Sequence, residues 1–210
     1  DYPDSDILRG KSTIYGWIQG RALESIAVHA EWLRRCGSVQ CTRLIERCDS
    51  VIVRLFDRIN RTRQLNGGHC YFFMDIEGNA CSFKGGMTRI PVRLTSTSPF
   101  NFSDMFCAKG MYAAACYLND SEAIYQSVQY CNQVLKALWE GNFVSDQHFF
   151  DTDNCPATSP LENKRSHSPF MIAIGIANLF ADNSDNCSAI QMGINLIDYI
   201  IDNHVNTGQW

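Results

Sequence analysis

The chain has 210 residues, 45% hydrophobic and 19% charged, a composition that excludes a disordered chain and is long enough to bury a sizeable core. Its formal net charge is −4, from 22 acidic and 18 basic residues, so it has no basic field to hold a nucleic-acid backbone. No apolar run reaches membrane-spanning length, which excludes a membrane partner by helical insertion.

Six segments show helical periodicity. The first covers about residues 14–35, with Leu23, Ile26, Ala27, Ala30 and Leu33 on one side. The second covers about residues 41–59, with a stripe of Leu44, Ile45, Cys48, Ile52, Leu55 and Ile59. A long connection, about residues 60–101, follows. Within it, residues 69–83 predict a small hairpin: an aromatic, β-rich run, a turn at Glu77-Gly78-Asn79, and a short apolar run. The third and fourth helices fall at about 102–118 and 122–139, the fourth lined by Ile124, Val128, Cys131, Leu135 and Leu138. A second long connection, about 140–168, leads to a fifth helix at about 169–180 that is apolar almost all round and so reads as buried. The sixth, about 187–204, carries Ile190, Ile194, Ile197 and Ile201 as its expected buried stripe.

Loops within successive pairs are short, which forces antiparallel neighbours, and loops between pairs are long. Both long connections therefore leave the helix array at one end, where loops can build a site on a rigid scaffold. The expected fold is all-α: a single domain of three helix pairs arranged as an (α/α) toroid, of which this chain supplies all or part.

Ten cysteines occur, none in a C-x-x-C, and Cys48, Cys107, Cys116 and Cys131 lie within helical apolar patterns. They read as small buried hydrophobes in a reduced, cytoplasmic protein, while the sequons at Asn101, Asn119 and Asn186 keep a secreted or lumenal location open. No P-loop, dinucleotide fingerprint, zincin motif or serine-nucleophile elbow appears, so chemistry without a cofactor is the expectation.

The segment Tyr15-Gly16-Trp17-Ile18-Gln19-Gly20-Arg21 resembles the N-acylglucosamine 2-epimerase family. The likeness continues at Phe102-Ser103-Asp104-Met105-Phe106 and at His167-Ser168-Pro169-Phe170-Met171, each opening the first helix of a pair. The resemblance implies an (α/α)6 barrel, a sugar in its central cleft, and epimerisation or isomerisation by proton transfer between adjacent carbons. It also implies that the chain corresponds to the N-terminal half of such a barrel, with a small-molecule sugar as partner and a homodimer as a possible assembly.

Candidate residues follow. Arg21 is expected to anchor sugar oxygen or an enediolate through its fork of donors, with a structural ion pair to Glu24 or Asp104 as the alternative. His167, before the fifth helix, is a candidate acid or base near neutral pH, and Met171 stands where some family members carry a histidine. Tyr15 and Trp17 could wall a sugar ring or pack a core; Gly20 suits close approach of another backbone. Asp104 is either a helix-start residue or a hydroxyl-binding carboxylate, and Lys109 could pair with it. Asp146 and Gln147, among Phe143, Phe149 and Phe150, and Arg165 near the fifth helix complete the substrate-binding set. His29, His69 and His204 read as surface or packing residues. Two other functions compete: a glycoside hydrolase using Asp104 and Asp146 as its carboxyl pair, and a non-catalytic carbohydrate- or protein-binding helical module.

Overall fold

Local chemistry sets the helix ends. In the computed structural model, which describes residues 2–85, 88–146, 166–183, 187–205 and 208, α1 (Gly16–Cys36) stops at Gly37 in the left-handed region, φ 63°, whose N–H returns to the Arg34 carbonyl. A single 3-10 turn, Val39–Cys41, leads into α2 (Thr42–Leu65). Helix α3 (Phe102–Leu118) ends at Asn119, also left-handed, and Asp120 then caps α4 (Ser121–Trp139) by accepting from the N–H groups of Glu122 and Ala123. Helices α5 (Ser168–Asn183) and α6 (Cys187–His204) complete the helical set among the described residues.

The expected all-α toroid is not formed. The segments around the helices build two sheets, so the fold is mixed α/β. Strands β1 (Thr13–Tyr15), β2 (Phe73–Asp75), β3 (Ala80–Lys84) and β4 (Thr88–Pro91) make an antiparallel sheet in that order. The β2–β3 hairpin turns where the Asp75 carboxylate accepts from the N–H groups of Glu77 and Asn79. Buried Asn66 ties this turn to the end of α2, donating to the carbonyls of Thr62 and Gly78 and accepting from the Ala80 N–H. Phe73, Cys81 and Phe83 form a small core of the sheet's own, with Ile7, Leu8, Tyr15 and Phe72 packed on it. The second sheet pairs β5 (Phe100–Asn101) in parallel with β6 (Phe143–Val144).

The helices make an open array. Helix α3 packs between α1 and α5, while α2, α4 and α6 pack against their pair partners. Among the described residues the array does not close into a ring, and its outer helices keep apolar side chains in solvent. The isoleucines expected to be the buried stripe of α6 are exposed; Ala189 and Leu196 are the residues α6 buries.

Helix α3 is the centre of the core, buried almost throughout. Glycines set its distance from α1. A Cβ on Gly20 would lie 2.5 Å from the Phe106 carbonyl carbon, and one on Gly110 would overlap the Gly20 carbonyl oxygen. These contacts fix the second turn of α1 against the second and third turns of α3.

Nine cysteines are free thiols in the described residues, with Cys70, Cys81, Cys107 and Cys131 buried and Cys36 and Cys187 exposed; Cys155 lies outside the described residues. No helix of the described residues is long and apolar enough to cross a membrane. The Asn101 sequon is closed to modification in this fold, because its side chain is buried and hydrogen-bonded to Cys70 and Asp104.

Candidate active site

Three pieces of chain meet where α3 begins. Asn101 is the N-cap of α3: its side chain accepts from the Asp104 N–H at 3.0 Å, and the Asp104 carboxylate accepts from the Asn101 N–H at 3.2 Å, a reciprocal capping box. Because β6 pairs with β5 in parallel, with Phe143 opposite Phe100 and Val144 opposite Asn101, the chain delivers Asp146 to the same place. The first turn of α1 brings Trp17. The two long connections thus converge at one end of the helix array, through the β5–β6 pair.

Two buried aspartates result. The Asp104 side chain has no exposed surface and accepts from four donors: His69 Nδ1 at 2.9 Å, the Cys70 N–H at 2.7 Å, the Tyr130 hydroxyl at 2.6 Å and the Asn101 N–H. The Arg63 guanidinium lies over the Tyr130 ring at 3.4 Å. Burial and the Asp104 charge raise the Tyr130 pKa well above its ordinary value, so this hydroxyl stays a donor. Every lone-pair direction of Asp104 is occupied, which leaves it no capacity to bind a ligand.

Asp146 is 1% exposed and accepts one hydrogen bond, from Trp17 Nε1 at 3.0 Å on Oδ1. Its Oδ2 and the neighbouring Ser103 hydroxyl are both buried without a hydrogen-bond partner among the described residues. Burial pushes the Asp146 carboxyl up to about 7; Ser103 and Trp17 pull the other way, and the Asp104 charge adds to the rise. Rings surround this corner: Trp17 meets Phe72 at 5.1 Å, Phe102 at 5.3 Å and Phe106 at 5.5 Å, and Phe102 meets Phe143 at 5.2 Å. Cys107 donates its thiol to the Gly16 carbonyl; contact with Cys70 and burial hold its pKa well above the ordinary thiol value, so it is not a nucleophile.

The residues singled out in the sequence fall into distinct places. Trp17 and Asp146 are joined directly. Arg21 is exposed, with its guanidinium 5.5 Å from the Phe106 ring, at the rim of the aromatic corner. The ion pairs offered as its alternative role are taken by others: Glu24 pairs with Lys109 at 2.9 Å, and Asp104 is saturated as described. Lys109 therefore does not pair with Asp104. Tyr15 belongs to the sheet, its hydroxyl donating to the Leu8 carbonyl and its ring packing on Phe72 and Phe73. Asp104 is structural. His167 is exposed just before α5, its ring 5.9 Å from that of His204, with no contact to Trp17 or Asp146 among the described residues. Gln147 and Arg165, with Phe149 and Phe150, lie outside the described residues.

Three participants escaped the sequence reading. His69, taken for a packing residue, is a buried donor to Asp104. Tyr130 sits beside Cys131 on the buried side of α4; a tyrosine at such a position needs a polar partner, and that was the available signal. Ser103 stands in the motif that opens the third helix, and nothing local marks it as a neighbour of Asp146. A separate groove of about 380 Å³, lined by Trp139, Ser188, Gln191, Met192 and Asn195, carries no titratable side chain and lies between α4 and α6. Among the described residues no three His, Cys, Asp or Glu side chains gather as a metal site requires.

No protein-family model matches the chain, and a search of curated proteins finds no match either.

Proposed function

We propose that the chain carries the proton-transfer part of a sugar epimerase or isomerase site, with Asp146 as the acid–base group. The observation behind this reading is the asymmetry of the Asp146 carboxyl: one oxygen held by Trp17, the other buried and without a partner among the described residues, with a pKa of about 7. A carboxyl of that pKa is poised to take and return a proton at neutral pH. In its ionised form it removes the proton from the carbon next to a sugar carbonyl; the electron pair moves to the carbonyl oxygen as an enediolate. Return of that proton to the neighbouring carbon on the same face, as a hydroxyl proton passes between the two oxygens, completes isomerisation; in epimerisation water supplies the proton on the opposite face and Asp146 releases its own to solvent. Arg21, at the rim, is the cation that steadies the enediolate oxygen. Trp17, Phe72 and Phe106, all half-buried, offer apolar faces to the sugar's C–H groups. Trp17, half-buried and hydrogen-bonded to Oδ1, is the ring that must turn aside for a sugar to reach the buried Oδ2.

Hydrolysis by a carboxyl pair is disfavoured by the same geometry. It needs two free carboxyl groups, and Asp104 is bound on all sides by its own donors.

The test is solvent exchange. Aldoses, ketoses and N-acylhexosamines incubated with the protein in D2O should gain deuterium at the carbon beside the carbonyl, read by proton NMR. Asp146→Asn should abolish the exchange. Arg21→Ala should lower kcat/KM by about tenfold; a fully buried arginine would justify roughly a hundredfold, and exposure screens this one. Exchange that proceeds unchanged in Asp146→Asn would remove this residue from the chemistry. If none of these sugars exchanges, the isomerase reading fails.

A further inference from the structure

We propose that the chain self-associates head to tail, the exposed face of α6 in one copy docking on the outer flank of α2 in the next. This surface is separate from the Asp146 corner and does not depend on the isomerase reading.

Helix α6 has two apolar faces. Ala189 and Leu196 are buried against the rest of the molecule, with Met192, Tyr199 and Ile200 half-buried beside them. The other face carries Ile190, Ile194, Ile197 and Ile201, which are 59%, 44%, 44% and 47% exposed. Their spacing of four, three and four residues is the seam by which one helix receives another. Four isoleucines in one row on an exposed helix exceed the scattered apolar residues of an ordinary surface. The helix contains no lysine or arginine, and exposed Asp198 and Asp202 stand beside the row.

The outer flank of α2 has the complementary character. Leu44, Arg47, Val51, Arg54, Arg58, Arg61 and Leu65 follow one another in alternating steps of three and four. Leu44, Val51 and Leu65 are 46%, 37% and 59% exposed, and Arg47, Arg54 and Arg61 are exposed between them. The match is apolar row to apolar row, with arginines brought to aspartates. Charge selects the pairing: α6 on α6 brings the Asp198 and Asp202 of two copies together, and α2 on α2 stacks two arginine rows. Docking α6 on α2 does neither. Since the two surfaces differ, the contact is heterologous, and each copy keeps one free face for the next.

Sedimentation of the chain over a concentration series tests this. Association should rise with concentration and weaken with added salt. Ile194→Asp with Ile197→Asp, and separately Arg47→Glu with Arg54→Glu, should each raise the dissociation constant at least about tenfold. All four positions are surface positions, and unchanged circular dichroism shows that each variant is folded. The decisive arm mixes the two double variants: one retains an intact α2 flank and the other an intact α6 face, so the mixture should form a 1:1 dimer and nothing larger. A wild-type chain that stays monomeric up to about 100 μM overturns the proposal. So does a mixture that remains monomeric, or association that survives the α2 substitutions and is lost only with the α6 pair, the sign of an α6–α6 contact or of a different partner.

Discussion

Asp104 and Asp146 are buried within one end of the helix array, and their surroundings are opposites. Around Asp104 the fold supplies four donors, two from backbone and two from side chains drawn from the 69–70 turn and from α4. Around Asp146 it supplies one indole N–H, and among the described residues the second oxygen has no partner. Burial penalises charge in both places, and the number of donors decides the outcome. A saturated carboxylate braces the start of α3 and locks the two connections to α4. A half-satisfied one has a pKa moved to about 7, the range in which a proton can leave and return. The comparison teaches that burial alone does not mark a reactive group; burial with an unfilled hydrogen-bonding capacity does.

The largest effect should come from emptying the saturated side. Asp104→Ala leaves two side-chain and two backbone donors without their acceptor, and should destabilise the fold by about 5 kcal/mol in denaturant unfolding. A loss under about 1 kcal/mol would mean that these donors find other partners and that the network is incidental.

Next in size is the pH dependence carried by Asp146. Its folded pKa, about 7, lies above the roughly 3.9 of an unfolded aspartate. The raised value means the folded state holds the proton more tightly than the unfolded chain does. The stability that this group contributes is therefore full below about pH 4 and is lost as pH rises to about 7. Asp146→Asn should remove this component. The difference between variant and wild type should grow in the variant's favour by roughly 3–4 kcal/mol between pH 4 and pH 8. A difference that is flat with pH would place the Asp146 pKa near its ordinary value.

Smallest of the three is Tyr130→Phe. It removes one of the four donors to Asp104 while keeping the ring under Arg63, and should cost about 1.5–2 kcal/mol, with no change in the pH dependence assigned to Asp146. If instead Tyr130→Phe abolished that pH dependence, the two aspartates would be one coupled system, and the contrast between them would fail.

Much of the helical scaffold was legible because its signals are local. Apolar spacing located the six helices, and the short loops at 119–120 and after α5 show which of them turn back on each other. Closure into a ring was not legible: alternating loop lengths make neighbours antiparallel without fixing the curvature of the row. The sheets were partly hidden for a related reason. Strand β1 finds its partner β2 some 60 residues later, and β5 pairs with β6 across a whole helical hairpin, separations at which no local pattern speaks. Arg21 lies on the solvent side of α1, which spacing alone did not show. Ile18 is 58% exposed, while α1 turns the expected Leu23, Ala27 and Ala30 inward together with Gly16 and Gly20. The tie between Trp17 and Asp146 spans 129 positions. Each residue could be suspected alone, and only the fold joins them. His69 looked like part of an aromatic run, and its role depends on Asp104, 35 positions on.

The most direct test of the account is a carboxyl 13C NMR titration of the wild-type chain with labelled aspartate, the Asp146 signal assigned by its absence in Asp146→Asn. The account predicts a carboxyl titrating near pH 7, sensitive to Trp17→Phe, which removes the indole hydrogen bond to Oδ1. An Asp146 signal that titrates near pH 4 would contradict it, because a carboxyl already ionised well below neutral pH is not held poised to exchange a proton with a sugar carbon.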